Sequence, residues 1–381
     1  MKNGKNLYQS LLKKVAEKPS SISIISSIIA IIGGLIVGFI VMLAIDPSRA
    51  LVGLSTILTG FTREGMRSLG NTVYFSVPII LTGISVAFAF RTGLFNIGAT
   101  GQLTIGAFVA VYVGIHWTFL GPLHWVVAVL AGMLGGAFWG AIPGFLKAYR
   151  NVNEVVASIM LNYIAMYLVI LMIRRTIFNQ QFARAFGPAP SAMLPRLSQL
   201  ITTHRSSLNV GIIIAILVVI ITHIILNKTT FGFELRSVGF NRDAARYAGM
   251  NEKRNIVLAM TISGAIAGIA GAVMYLIPGR FLTIETHLIQ EGFTGIAISL
   301  LGLSAPIGVF FAGLFYGALE IGGFYLQATT RFVPQLIEII IAVIIYFSAL
   351  ALFFQKVVAN YLKRKTKEDV EIVPGAGGDL V

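Results

Sequence analysis

Residues 102–146 read QLTIGAFVAVYVGIHWTFLGPLHWVVAVLAGMLGGAFWGAIPGFL, without a single Asp, Glu, Lys or Arg. The hydrocarbon core of a bilayer is about 30 Å thick and a helix rises about 1.5 Å per residue, so about 20 apolar residues cross it once. This stretch therefore holds two crossings, with Leu120-Gly121-Pro122 as the turn between them. Its apolar residues run on instead of alternating, which excludes barrel strands, whose lipid and lumen faces alternate.

The same arithmetic applies on either side. Residues 21–45, 68–90, 206–227 and 255–279 also lack those four residue types, and 155–173 form another uncharged stretch. Residues 292–319 are too long for one helix and are divided by Pro306, while 332–355 carry only Glu338. The reading is an all-α, polytopic transmembrane helical bundle of about ten spans with interrupted helices. The second span begins near Asn71, the third near Asn96, and the eighth, about 292–303, has the length of a half-helix. Over all 381 residues, 56% are hydrophobic and only 12% charged, with no cysteine and a net charge of +14. A soluble domain would carry about 25% charged residues. The basic excess is scattered between apolar blocks, which argues against a nucleic-acid partner. Without cysteine there are no disulfides, thiolate metal sites or cysteine nucleophiles.

Lys and Arg set the orientation. With both termini cytoplasmic and ten alternating spans, 19 of the 29 basic residues fall inside, all 12 lysines among them. Lys147 is expected in a tight turn, and the arginines Arg174, Arg175, Arg184, Arg196 and Arg205 fall outside. The expected domains are a basic cytoplasmic tail (1–20), a transmembrane domain (21–355) containing a cytoplasmic loop (227–254), and a disordered cytoplasmic tail (356–381). The first 20 residues lack a small-residue cleavage site and do not read as a cleavable signal.

Three stretches interrupt the apolar pattern. In Phe95-Asn96-Ile97-Gly98-Ala99-Thr100-Gly101-Gln102, Gly98 and Gly101 permit close backbone approach while Asn96 and Gln102 bring amides to membrane depth. Non-helical backbone survives there only inside protein or along a wet cavity, so the segment fits a packing turn or a pathway lining. In Asn153-Glu154 through Asn162-Tyr163, Asn153 suits an N-cap, Glu154 meets the positive end of the helix dipole, and Asn162 must bond to a neighbour. In residues 231–250, Asn241 suits a second N-cap, Ala244, Ala245 and Tyr247 favour a short helix, and Gly249 ends it. That pattern fits a docking helix or an interfacial anchor.

A faint repeat links Ile105–Ala110 with Ile307–Ala312 after their respective interruptions. Transporter halves often place such breaks at the substrate site, which nominates Asn96, Gln102, Gly295 and Ser299 as cavity residues. Phe95 and Phe293 offer stacking faces or core packing. No catalytic or metal constellation is evident, because the five histidines are dispersed without H-E-x-x-H spacing. There is no G-x-x-x-x-G-K-[ST] phosphate loop, so transport energy must come from a partner or an ion gradient. Glu320, near the outer end of the ninth span, and Glu338, near the outer start of the last, are expected at interfaces.

Together, Gly93-Leu94-Phe95-Asn96-Ile97-Gly98-Ala99-Thr100-Gly101-Gln102, Asn153-Glu154-Val155-Val156 through Asn162-Tyr163, Arg236-Ser237-Val238-Gly239 to Gly249, and Gly292-Phe293-Thr294-Gly295-Ile296-Ala297 resemble the permease subunits of ATP-binding-cassette importers. The branch is the one serving branched-chain amino acids, ribose-type sugars and nucleosides, and the chain is most similar to nucleoside permeases. Thr100 departs from the acid usual at that position. The resemblance implies a bacterial multi-pass membrane subunit that is not itself an enzyme and binds no cofactor. ATP would be hydrolysed by a cytoplasmic partner contacted through Glu234, Arg236, Gly239, Asn241, Ala245 and Gly249. A second, non-identical permease subunit and a substrate-binding lipoprotein would complete the assembly. Phe95, Asn96, Gln102, Asn162, Phe293, Gly295 and Ser299 would line the pathway. Nucleosides, pentoses and branched-chain amino acids remain open as substrates, and an ion-coupled secondary transporter is the rival reading.

Overall fold

A computed structural model describes residues 19–197, 206–330, 332–333 and 335–349. The two terminal tails expected from the sequence, apart from Pro19 and Ser20, and Arg205 lie outside them.

Among the described residues there are thirteen α-helices: α1 (Pro19–Ile45), α2 (Ala50–Thr59), α3 (Met66–Arg91), α4 (Ala99–His116), α5 (His124–Arg150), α6 (Glu154–Thr176), α7 (Gly211–Lys228), α8 (Thr230–Phe240), α9 (Arg242–Tyr247), α10 (Glu252–Tyr275), α11 (Gln290–Leu301), α12 (Pro306–Thr329) and α13 (Gln335–Ala349). Eight are long and apolar enough to cross a membrane. The expected polytopic helical bundle is therefore present, and Met66 and Ala99 replace Asn71 and Asn96 as span starts. Helix α2 was not foreseen: Leu51 to Thr59 is apolar but too short to register as a crossing. A two-stranded antiparallel hairpin, β1 (Phe178–Asn179) and β2 (Arg184–Ala185), follows α6.

The chain divides into two compact units, Met1–Ala50 with Gln335–Val381, and Leu51–Pro334. In the first, α1 packs on α13, with Gly34 against the Ile344 backbone and Gly38 against the Ile340 side chain. In the second, α5 and α10 meet along glycines. A Cβ on Gly136 would stand 2.6 Å from the Gly268 Cα, and one on Gly140 would stand 2.5 Å from the Met260 carbonyl oxygen. Lipid tails offer no hydrophobic drive between helices, so small residues four apart stabilise the pair by letting backbones touch.

Polar residues within the spans turn inward. Asn96, Gln102, Asn162 and Ser263 are all 2% exposed or less, although Leu134, Phe138, Tyr163 and Tyr167 are exposed. Lys147 is in the last turn of α5 instead of a turn between helices, and its Nζ pairs with the Glu154 carboxylate at 2.8 Å. Asn153 caps α6 by accepting from the Val155 and Val156 amides.

Candidate functional site

The first interruption follows α3. Gly93, at φ +72°, reverses the chain beneath Arg91, and Leu94 to Gly98 re-enter the bundle before α4 begins. Asn96 Nδ2 donates to Gln102 Oε1 at 2.8 Å and to Ser263 Oγ at 2.7 Å, and Gln102 Nε2 donates back to Asn96 Oδ1 at 3.1 Å. Ser263 Oγ also donates to the Ser85 carbonyl at 2.7 Å. Asn162 caps α4 from another helix: its Oδ1 accepts from the Gly101 amide at 2.8 Å, and its Nδ2 donates to the Ile97 carbonyl at 3.1 Å. Free N–H groups at a helix start need such partners when water is absent. These three amides hold the break closed by bonds within the protein. Phe95 stacks on Phe90 with ring centroids 5.0 Å apart.

The second interruption precedes α11. At 12 residues, that helix covers about half a bilayer. Its depth follows from its neighbours. Thr82, just past the midpoint of α3, donates its hydroxyl to the Glu291 carbonyl at 2.9 Å, and Gly295 lies against the Thr82 backbone. At the other end Arg91 Nε donates to the Ser304 carbonyl at 3.0 Å. So α11 runs from mid-depth to the end of α3 at Arg91, the half-helix expected of the eighth span. Residues 276–289 therefore descend to mid-depth from the opposite side. Gly292 abuts Thr100, which joins the two interruptions. Three buried hydroxyls among the described residues, Thr100 Oγ1, Ser158 Oγ and Ser299 Oγ, have no hydrogen-bond partner.

A cavity of about 200 Å³ opens at the head of α11. Its polar and aromatic lining comes from Tyr74 and Phe75 of α3, Arg280, Gln290, Glu291 and Thr294 of α11, and Asn209, Tyr316 and Glu320, and its apolar lining includes Pro78 and Val273. Arg280 Nη2 donates to Glu291 Oε1 at 2.7 Å. None of the seven residues nominated for the pathway lines this cavity; Phe293 and Gly295 only flank Thr294. Glu320 corrects its expected place, since α12 continues to Thr329 and Tyr316 and Glu320 bracket its midpoint. The ionisable cluster was missed because Arg280 and Glu291 each border a stretch that is apolar in sequence.

The third feature is the pair α8 and α9. Asn241 caps α9 by accepting from the Ala244 amide at 3.0 Å, and Gly249 follows at φ +80°, both as the sequence indicated. Of the other residues nominated for partner contact, Glu234 Oε2 accepts from Asn255 Nδ2 at 3.1 Å and Arg236 Nε donates to the Gly232 carbonyl at 3.3 Å. Ala245, 3% exposed, packs with Leu235, Val238 and Met260. A Cβ on Gly239 would stand 2.5 Å from the Thr92 carbonyl carbon. Asn241 and Gly249 lie on the exposed face of the pair, together with two side chains the sequence did not nominate: Phe240 is 95% and Tyr247 93% exposed. Beside Phe240, a concavity of about 470 Å³ is lined by Phe233, Arg236, Ala244, Ala248 and Met250.

Among the described residues no group of His, Cys, Asp or Glu is placed to hold a metal ion.

Residues 68–349 match the family model described as the branched-chain amino acid transport system permease component. The chain is 40% identical over 339 residues to the guanosine ABC transporter permease protein NupP of Bacillus subtilis, covering 89% of this chain and 96% of that protein. It is 34% identical over 331 residues to the nucleoside ABC transporter permease protein NupB of Lactococcus lactis, covering 84% and 89%. It is also 31% identical over 339 residues to the glucose ABC transporter permease protein TsgB13 of Haloferax volcanii, covering 86% and 88%. No solved structure matches. Permeases of such systems are not themselves enzymes and work with ATP-binding and substrate-binding partners. With its interrupted spans and apolar helices, this chain belongs to the branched-chain amino acid transport system permease family and is a multi-pass protein of the cell membrane.

Proposed function

We propose that this chain is the permease subunit of an ATP-driven importer that carries nucleosides. The observation that carries the reading is the seating of the α8–α9 pair. Its exposed surface carries two almost fully exposed aromatic side chains, and its base is a backbone contact between Gly239 and Gly93. Gly93 is the reversal from which the Asn96 segment re-enters the bundle. A push on Phe240 or Tyr247 is thus delivered to the start of the interrupted path through rigid backbone instead of flexible side chains. The lysine distribution favours placing this face, and both tails, in the cytoplasm. There an ATP-binding partner would use ATP and drive the motion.

In this reading a lipoprotein receptor delivers solute to the opposite face, a second, non-identical permease subunit completes the complex, and the domain limits expected from the sequence apply. Asn96, Gln102 and Asn162 hold the break shut in the conformation described. Motion of α4 against α6 exchanges their bonds for others and brings Phe95 and Ser299 toward the path. The relatives named for guanosine and nucleosides support the substrate class, while the glucose permease marks a sugar as the alternative.

Vesicles holding the whole complex, with ATP on the partner's side, should accumulate guanosine. Replacing both aromatics, Phe240→Asp with Tyr247→Asp, should abolish uptake and solute-stimulated ATP hydrolysis without loss of the folded permease. Persistence of both activities would remove the coupling role. Guanosine accumulation by this chain alone, abolished by a protonophore, would establish an ion-coupled carrier instead.

A further inference from the structure

We infer that Arg91 is a positioning residue that ties the base of the α8–α9 pair to the half-helix α11 by holding a left-handed turn at Leu303 and Ser304. The inference rests on the coupling role proposed for the α8–α9 pair and extends it from the first interruption to the second.

At this turn the residue types and the backbone disagree. Helix α11 stops at Leu301, and the Ser304 amide donates to the Ser299 carbonyl at 2.7 Å, the bond that closes a helix whose following residue turns left-handed. Glycine is usual there, because a Cβ crowds its own backbone in that conformation. Here Leu303, at φ +56°, and Ser304, at φ +52°, take it up, while the neighbouring Gly302 stays at φ −79°. Gly302 serves a contact instead, since it lies against the Gly308 and Val309 backbone. Ending a helix does not require two such residues in a row. Backbone of this kind persists where neighbours hold it, and it gathers at switches.

The neighbour that holds it is Arg91, whose Nε donates to the Ser304 carbonyl at 3.0 Å. That carbonyl lies beyond the last turn of α11, so the bond is not the ordinary capping of a helix end by a cation. Arg91 is the last residue of α3, and the next two, Thr92 and Gly93, are the backbone on which Gly239 of α8 is seated. One side chain thus joins the seat of the α8–α9 pair to the turn after α11. The join can be exchanged. None of the ion pairs among the described residues includes Arg91 or Arg236, and Arg236, on α8, is near enough to act on Arg91 electrostatically. Like charges repel, so a shift of α8 changes the force on the Arg91 guanidinium as well as on its backbone. With Ser304 released, the two strained residues relax and α11 tilts, because its other end is tied to α3 by the exchangeable bond of the Thr82 hydroxyl.

The test uses the assembled complex in vesicles and reads guanosine carried per ATP hydrolysed. In Arg91→Gln that ratio should fall about tenfold, the scale of one lost hydrogen bond from a charged donor, and Arg91→Lys should restore most of it. Leu303→Gly, which removes the strain and leaves Arg91 in place, should lower the ratio as well while the melting temperature does not fall; a merely structural turn would move both together. Because the chain has no cysteine, spin labels at Leu134→Cys on α5 and Phe293→Cys on α11, both exposed positions, are the only ones it carries. Their separation should change when a non-hydrolysable ATP analogue is added, and should not change in Arg91→Gln. An unaltered ratio in Arg91→Gln or in Leu303→Gly, or a label separation that responds to nucleotide equally with and without Arg91, would overturn the assignment. If Arg91→Gln does not assemble, Leu303→Gly decides alone. The double variant Phe240→Asp with Tyr247→Asp is run in parallel. Its failure to transport beside normal coupling in the turn variants sinks the Arg91 tie only, whereas normal transport by the double variant sinks the coupling role itself.

Discussion

Two seams within the larger unit are built by different chemistry. Between α5 and α10, glycine faces glycine: Gly132, Gly136 and Gly140 lie against Gly264, Gly268 and the Met260 carbonyl. Between α11 and its neighbours, glycine faces threonine, Gly292 on Thr100 and Gly295 on Thr82. Where glycine faces glycine, the first seam sets backbone against backbone and leaves no side chain there to exchange partners, so it has one close-packed arrangement. The second has hydroxyls and amides whose bonds can be traded, unpartnered Thr100 and Ser299 hydroxyls, and a cavity at its head. Stacked glycines suit a part that must stay still, and exchangeable polar contacts suit a part that must move.

The comparison breaks most severely if the static seam tolerates bulk. Gly136→Leu places a branched side chain against the Gly268 backbone, and overpacking of this kind should cost about 3 kcal/mol or more. Size-exclusion profiles and thermal melting should show loss of the folded permease; a wild-type melt would mean the seam is not the anchor. Next, Asn162→Leu leaves the Gly101 amide and the Ile97 carbonyl without partners, which should cost about 1–3 kcal/mol. Hydrogen exchange at the start of α4 should rise, and unchanged protection would show that Asn162 does not hold the break.

A subtler effect is expected at the base of the α8–α9 pair. Gly93→Ala puts a Cβ at φ +72° and 2.7 Å from the Gly239 Cα, a strain of about 1–2 kcal/mol. Solute-stimulated ATP hydrolysis should fall more than the melting temperature does, and a parallel fall in both would make Gly93 a packing residue only. The smallest effect is assigned to Thr82→Val, which removes one bond to the Glu291 carbonyl. Interhelical bonds in membranes average about 0.6 kcal/mol, so the melt should barely move while uptake kinetics change. An uptake rate identical to wild type would argue that the second seam is as static as the first.

Much of this molecule can be read from the chain alone. The spans are legible because insertion depends on a local sum over about 20 residues, and residues 102–146 or 255–275 satisfy it without reference to anything distant. Caps are equally local: Asn153, Asn241 and Gly249 act within four positions of themselves, and each does what its sequence context indicates. Helix α2 escaped notice because ten residues fall below the length at which apolarity signals a crossing. Glu320 was misplaced because the ninth span continues past it to Thr329.

The amino-acid order, then, determined the polytopic helical bundle, the half-helix before Pro306, and the short capped helix at Asn241. Only the tertiary structure decided which polar groups meet: Asn96 with Ser263, Thr82 with Glu291, Asn162 with Gly101, and the convergence of Arg280, Glu291 and Glu320 on one cavity. The reason is that partitioning into a bilayer is a property each segment has alone, whereas satisfying a buried donor or charge requires a second group that the chain supplies from a distant helix.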